Sequence, residues 1–277
     1  MSALTTSQGR TSTVAAQSPR STHDGEGTLG PIRGVAFGRL FRVELRKQYD
    51  TVASRGLLAG IAVVTLVVFI IMLFTNGGDF SWMNYLTASV TPLSILLPIV
   101  GIMAATSEWS QHTAMTTFAL EPRRGRVIWA KLLSSLLLGA VLFAVAVVAS
   151  AVVHQVAISA RGVDGDWSLT WWTVAGGAGL LLLNMLTGTA FGFALLNTPG
   201  AIVAFFAVPL GVSGAHALIP AWSTFFSWVD LNETSAPLLA GQSLTGGQWA
   251  RLAVTVGIWV ALPMLVGVWR VLRREIK

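Results

Sequence analysis

Few residues of this chain have the types and spacing that enzyme chemistry requires. The sequence contains no cysteine, which excludes a disulfide scaffold, a thiolate metal site and a cysteine nucleophile. Its four histidines form no visible cluster with carboxylates, which argues against a catalytic zinc site. Glu108 and Glu121 have basic neighbours and are typical of interface charges rather than of an acid–base pair. We therefore predict no catalytic residue, and no metal or cofactor bound by this chain.

The composition is unusually apolar. Of 277 residues, 53% are hydrophobic and 11% are charged, and the mean hydropathy is +0.68. A soluble domain carries about 25% charged residues, more than twice this share. The isoelectric point near 10.7 is also found in nucleic-acid-binding proteins, but here the cations lie between long apolar runs rather than on a soluble basic face. The composition predicts an all-α integral membrane protein.

Six segments are apolar over the roughly 20 residues that a helix needs to cross about 30 Å of hydrocarbon. They are residues 56–74, 85–105, 127–153, 171–196, 201–219 and 249–269. We expect Lys131 and Arg251, near span ends, to extend their side chains to the membrane interface, and His154 to lie at the outer interface. Residues 56–277 are thus predicted to form a six-span transmembrane domain.

Lysine and arginine are divided unevenly between the two sets of loops. The N-terminal flank, the loop between spans two and three and the C-terminus are rich in arginine, whereas the opposite loops contain only Arg161 and Arg251. Cytoplasmic loops carry the excess of these cations. We therefore predict that both termini are cytoplasmic, in a multi-pass protein of a plasma membrane. The abundance of Arg, Ala, Val and Gly favours a bacterial one.

Two segments precede the first span. Residues 1–30 are rich in Ser, Thr, Gly and Gln without an apolar core, which predicts a disordered cytoplasmic tail. Residues 31–55 have an apolar and a basic face at helical spacing, which predicts an amphipathic helix in the cytoplasmic interface; a plain basic flank is the alternative. The apolar face comprises Phe37, Phe41, Leu45, Tyr49 and Val52, and the basic face Arg39, Arg42 and Arg46.

The polar connection between spans two and three, residues 107–126, is the most informative stretch. Glu108 begins it, Pro122 and Gly125 break its backbone, and Lys131 opens the next span. A short cytosolic helix held between two spans favours docking to a partner, although a loop that only sets topology is an equally simple interpretation. The candidate docking residues are Glu108, Thr113, Thr116, Thr117, Glu121, Pro122, Arg123, Arg124, Arg126 and Lys131.

The outer connection, residues 220–247, also carries a pattern. Aromatic and apolar residues recur there at i, i+3, i+4 and i+7, which predicts a short amphipathic helix. Either it belongs to an aromatic belt at the membrane surface, or it is a partly inserted hairpin that gates a pathway. The gate candidates are Trp222, Phe225, Phe226 and Val229.

Taken together, these features resemble the membrane subunits of ABC exporters of the type-2 (ABC-2) permease class. The resemblance covers residues 31–277 and rests on the order of an interfacial helix, six spans and an acidic residue ending span two. It continues with a Thr-rich segment, the turn Pro122-Arg123-Arg124-Gly125-Arg126, and Ala130-Lys131. The distance from the proline to the lysine is one residue shorter than in the usual pattern.

The resemblance implies a permease rather than an enzyme. In that class the connection between spans two and three is a coupling helix that inserts into a cytosolic ATPase, and the working unit has two ATPase copies and a second permease subunit, identical or paralogous. The substrate path would lie at the dimer interface. ATP and Mg²⁺ would bind to the ATPase, which agrees with the absence of a G-x-x-x-x-G-K-S/T phosphate-binding loop from this chain.

Other functions remain open on the residues alone. A secondary transporter or channel would place ionisable groups near the membrane midplane, and the six predicted spans contain no Asp or Glu. A membrane enzyme would need a nucleophile, a carboxylate pair or metal ligands within reach of one another. A membrane scaffold or sensor that does not transport would have the same sequence features.

Overall fold

The computed structural model describes residues 35–75, 80–111, 113, 115, 117, 121 and 123–273, and these residues form an all-helical fold. The predicted tail of residues 1–30 lies outside the described residues. Within the described part, the only β contact is an isolated bridge between Ser81 and Asp166. The helices are α1 (Phe37–Asp50), α2 (Val52–Thr75), α3 (Trp82–Ser110), α4 (Arg124–Arg161), α5 (Trp171–Leu195), α6 (Thr198–Leu218), α7 (Ser223–Val229), α8 (Leu231–Leu239) and α9 (Gly246–Arg273).

Six helices, α2 to α6 and α9, are long and apolar enough to cross a membrane, which confirms the predicted number of spans. The largest difference in boundaries is in α4, which continues to Arg161, whereas the predicted span ends at residue 153. Hydropathy marks where apolar side chains stop, but a helix ends where its backbone turns. Here Gly162 adopts a left-handed conformation (φ +62°) and ends α4. The 38 residues of α4 span about 57 Å at 1.5 Å per residue, so the helix is longer than the hydrocarbon core is thick.

Helices α3 and α5 cross at the centre of the bundle through small residues. A β-carbon at Gly188 of α5 would overlap the Pro98 carbonyl of α3, and one at Gly192 would lie 2.8 Å from Cβ of Ala105. Nearer the start of α5, a β-carbon at Gly176 would overlap the Leu238 carbonyl of α8. Glycine is needed at these positions because the two backbones approach too closely for a side chain.

Helices α2 and α6 lie at the periphery and expose apolar side chains. Leu66 of α2 and Leu210 of α6 are 56% and 70% exposed. A soluble monomer rarely exposes long apolar faces of this kind, whereas lipid covers them without cost. The exposure therefore supports the membrane interpretation independently of the count of spans.

The segment between α6 and α9 consists of two short helices rather than the single helix predicted. A 3-10 turn, Pro220–Trp222, leads into α7, and Asp230 separates α7 from α8. The side chain of Asp230 accepts hydrogen bonds from the backbone N–H groups of Asn232 and Glu233. Asp230 therefore caps α8 and is the one residue between the two helices. Helix α8 packs on α5, whereas α7 has no buried residue.

Helix α9 contains one π-helical turn, Gly257–Ala261. Within it, the indole N–H of Trp259 donates a 2.7 Å hydrogen bond to the carbonyl of Val229, the last residue of α7. The hydroxyl of Thr255, just before the turn, donates to the Trp228 carbonyl at 3.1 Å. These bonds satisfy carbonyls at the end of α7 that have no partner within the helix, and they attach the short helix to the last span.

Candidate functional site

Two glutamates and two lysines meet where α1 crosses the ends of α3 and α4, and we call Glu44, Lys47, Glu108 and Lys131 the buried ion cluster. The ammonium nitrogen of Lys131 lies 2.6 Å from Oε2 of Glu44 and 2.7 Å from Oε1 of Glu108. The ammonium nitrogen of Lys47 lies 2.7 Å from Oε1 of Glu44 and 3.2 Å from Oε1 of Glu108. Two positive and two negative charges therefore form a closed ring without net charge.

Three members of the buried ion cluster are withdrawn from solvent. The side chains of Glu44, Glu108 and Lys131 are 2–3% exposed, whereas Lys47 is 39% exposed. Lys131 also donates to the Ala104 carbonyl at 3.0 Å. The expectation that Lys131 reaches the membrane interface was wrong, because two carboxylates from other helices hold its ammonium group inside the protein. A buried charge is tolerated when it is paired in this way.

Helix α1 directs a different face to the protein than the sequence interpretation emphasised. Its buried residues are Leu40, Glu44 and Gln48, and the Gln48 amide donates a 2.7 Å hydrogen bond to the Ser134 hydroxyl of α4. The apolar face remains partly or largely uncovered by protein, and α1 ends at Asp50, so Val52 belongs to α2. Phe37 and Tyr49 are exposed and Phe41 and Leu45 half-buried, while Arg39, Arg42 and Arg46 are exposed.

Sequence reasoning missed Glu44, Lys47 and Gln48. A usable signal was present, because Leu40, Glu44, Lys47 and Gln48 recur at helical spacing and form a stripe between the apolar and basic faces. Polar residues in such a stripe are equally common on a solvated face, so the spacing alone could not show that they are buried. Glu44 is buried because Lys131 of α4 pairs with it, and Lys47 pairs with Glu108 of α3; both partners are far away along the chain.

The arginines of the connection between α3 and α4 also bond within the protein. Arg126 forms an ion pair with the buried Glu121 at 2.9 Å and donates to the Val35 carbonyl at 2.6 Å. Arg124 donates to the Val271 carbonyl of α9 at 2.6 Å. Arg123, by contrast, is exposed. Two residues of the arginine turn thus bond within the protein, and one is exposed to solvent.

A cavity of about 950 Å³ lies beside the buried ion cluster, between α1 and the connection after α3. Its lining includes Glu44, Lys47, Glu108, Thr113 and Thr117. Thr113 is exposed and Thr117 half-buried, whereas Thr116 and Pro122 lie outside the described residues. What the buried ion cluster can do is join three helices electrostatically beside this cavity.

The opposite end of the bundle carries the predicted gate residues and a second polar cluster. Trp222 and Phe225 of the outer connection are exposed, and Phe226 and Val229 are half-buried. The ring of Phe226 stacks on His216 of α6 at 5.8 Å. His216 in turn lies beside Asp230 and Glu233, so the sequence-based expectation of no histidine–carboxylate cluster was wrong. The three residues are too far apart along the chain for their spacing to reveal this.

His154, near the end of α4, is a further buried ionisable residue. It is buried inside the protein, with its ring 4.5 Å from that of Trp167 and 5.4 Å from that of Tyr85. The loop before α5 covers it, because the N–H of Asp166 donates to the Phe80 carbonyl at 2.8 Å and draws Trp167 over the end of α4. Within the described part, neither ring nitrogen of His154 has a hydrogen-bond partner.

Comparison of the chain with models of known protein families found no match, and comparison with curated proteins found none either. The resemblance to ABC-2 permeases therefore rests on the order of features in this sequence. The structure shows six helices that are long and apolar enough to cross a membrane, with a buried ion cluster at one end of the bundle.

Proposed function

We propose that the chain is the permease subunit of an ATP-driven ABC exporter in a bacterial plasma membrane. In this proposal a cytosolic ATPase, present in two copies, docks on the connection between α3 and α4. A second permease subunit completes a substrate path between the two membrane domains. ATP and Mg²⁺ bind in the ATPase, because this chain contains no phosphate-binding loop of its own.

The observation that carries the proposal is the buried ion cluster. It joins the amphipathic helix α1 to the end of α3 and the start of α4, the two spans that flank the proposed docking connection. Force applied at that connection would therefore move three helices together rather than bend a loose loop. Such rigid attachment is what energy coupling from a soluble motor requires, and a loop that only sets topology has no need of it.

The proposed orientation has its own test. The chain has no cysteine, so single cysteines can be introduced without a background. We expect a membrane-impermeant thiol reagent added outside to label Ser168→Cys and to leave Ser110→Cys unlabelled until the membrane is opened. The positive-inside distribution of arginine is the reason. The reverse labelling pattern would mean that the docking connection faces outward, away from any cytosolic ATPase.

The docking step is tested with the exposed arginine of the connection. When the wild-type chain is affinity-purified from its native membranes, the docked ATPase should co-purify with it. The preparation should then have vanadate-sensitive, Mg²⁺-dependent ATPase activity in a fixed ratio to the amount of the chain. Arg123→Glu should lose at least tenfold of that activity because it reverses a charge at the proposed interface. Arg251→Glu is the matched control, since it reverses an exposed charge at the opposite end of the bundle. Equal ATPase activity in both variants, or none with the wild type, would contradict the proposal.

One observation favours a second candidate, a proton-coupled carrier. His154 is an ionisable residue buried in a membrane-spanning helix, and such residues are common in proton pathways. In proteoliposomes without any ATPase, this candidate predicts transport driven by a pH gradient and lost in His154→Phe. The exporter predicts no transport under these conditions.

A further inference from the structure

A histidine and two carboxylates converge at the end of the bundle opposite the buried ion cluster, and we call His216, Asp230 and Glu233 the outer triad. Nδ1 of His216 lies 3.0 Å from Oε2 of Glu233 and 3.5 Å from Oδ2 of Asp230. The three potential ligand atoms all lie within 4.8 Å of one another. The side chain of Asp230 is 5% exposed, that of His216 24% and that of Glu233 43%, so the triad is anchored inside and open on one side.

The surrounding hydrogen bonds hold one oxygen of Asp230 and leave the other directed at the imidazole. Oδ1 accepts from the Ser213 hydroxyl at 2.8 Å and from the backbone N–H of Asn232 at 2.9 Å. Ser213 and His216 lie one turn apart on α6, so the same helix face that presents the imidazole also fixes the carboxylate. Oδ2 is therefore set in place before anything binds to it.

Glu233 does not form the capping hydrogen bond that is common at its position in a helix. A glutamate three residues after a helix-capping residue often bonds back to the N–H of that residue. Here the N–H of Asp230 already donates to the Phe226 carbonyl at 2.7 Å. The Glu233 carboxylate instead extends to His216, and its remaining surface faces solvent.

The charges of the outer triad do not balance. In the described part of the chain, His216 is the ion-pair partner of both carboxylates, and no lysine or arginine pairs with either of them. The triad carries a net charge of −1 with the imidazole protonated and −2 with it neutral. Because Asp230 is buried, a bound divalent cation would offset a charge that is otherwise costly there.

We propose that the outer triad binds a divalent transition-metal cation of the zinc type. Imidazole nitrogen and carboxylate oxygen are donors that zinc accepts, and three protein ligands with a solvent-exposed side leave a position for water. Ligand atoms about 2.0–2.1 Å from a tetrahedral zinc lie about 3.3–3.4 Å apart, and the two nitrogen–oxygen distances fall on either side of that value.

The bound cation would attach α8, and with it the outer connection, to α6. This inference does not depend on the proposed exporter function, because it uses only ligand geometry and charge at the other end of the molecule. It assigns to His216 the role of a metal ligand on α6, and to Asp230 and Glu233 that of ligands at the start of α8.

The test uses Zn²⁺ itself and the full chain purified in detergent with a tag that contains no histidine. Isothermal titration should give one site per chain in the wild type, and metal analysis after dialysis should give the same stoichiometry. His216→Gln and Glu233→Gln should each weaken binding at least tenfold. His23→Gln is the control, because it removes a histidine outside the described residues and leaves the outer triad intact.

A second readout separates metal binding from folding. Saturating Zn²⁺ should raise the melting temperature of the wild type and of His23→Gln, but not that of His216→Gln. The inference is overturned if zinc binds equally to His216→Gln and the wild type, or if the wild type binds none. It is also overturned if the effect of His216→Gln on stability depends on pH but is the same with and without Zn²⁺. The triad would then be an ion pair alone.

Discussion

Replacing Lys131 by methionine tests whether the buried ion cluster stabilises the junction of α1, α3 and α4. Methionine has a similar length and keeps the apolar stem of lysine, but it removes the charge. The variant leaves Glu44 and Glu108, both 2–3% exposed, with Lys47 as the remaining cation of the cluster. One negative charge is then buried without compensation.

The expected cost is about 3–5 kcal/mol of unfolding free energy, because removing one partner of a buried ion pair leaves the other desolvated and unpaired. Lys47→Met is the matched control in the same ring. Because the Lys47 side chain is 39% exposed, water can take the place of its ammonium group beside the carboxylates in this variant. We therefore expect a loss of about 1 kcal/mol or less of unfolding free energy. The predicted difference between the two variants thus follows from burial rather than from the number of ion pairs.

The measurement is unfolding in mixed micelles with increasing sodium dodecyl sulfate, followed by tryptophan fluorescence. The double variant Lys131→Met/Glu108→Gln removes one charge of each sign and leaves Glu44 paired with Lys47. It should therefore regain about 0.5–3 kcal/mol relative to Lys131→Met. If Lys131→Met is no less stable than Lys47→Met, or if the double variant recovers nothing, the argument from buried charge compensation is refuted.

Two further predictions concern packing and pH. Gly188→Ala should lower the unfolding free energy by about 1–3 kcal/mol in the same assay, because its methyl group overlaps the backbone of α3, whereas Gly60→Ala meets nothing within 4 Å and should not destabilise the protein. The Ser168 hydroxyl, and then the Ser168 backbone N–H, hold the pKa of Asp166 below its ordinary value of 3.8. This contribution to stability is present above the unfolded pKa and is lost as the pH falls through the folded one. In Ser168→Ala the folded pKa moves up toward the unfolded one, so the contribution should be smaller and its loss should be complete at a higher pH.

Hydropathy alone determined the broad architecture. A run of about 20 apolar residues has few alternatives to a membrane helix, because in lipid the backbone must satisfy its own hydrogen bonds. The six spans were therefore readable from local sequence, and each lies in an observed helix to within a few turns. Helix ends were less readable, since Gly162 and Asp230 end or start helices through backbone conformation and capping rather than through hydropathy.

Which polar residues meet was decided only by the tertiary structure. Glu44, Glu108 and Lys131 lie on three helices, and each looks like an ordinary surface or interface charge in its own segment. Ion pairing is a property of distance in space, and a single sequence contains no information on the distance between segments that are far apart along the chain. Burial turns these charges from interchangeable surface groups into mutually dependent ones.

The outer triad illustrates the same division. The sequence determined that His216 would lie near the end of a span and that Asp230 and Glu233 would follow in the outer connection. Only the return of the chain through α7 brought the carboxylates onto the imidazole. Asp230, which caps α8, accepts a hydrogen bond from Ser213, and Ser213 lies one turn before His216 on α6. Local residue pattern therefore determined the helices and spans of this protein, while the crossing and return of those helices decided which of its charges act together.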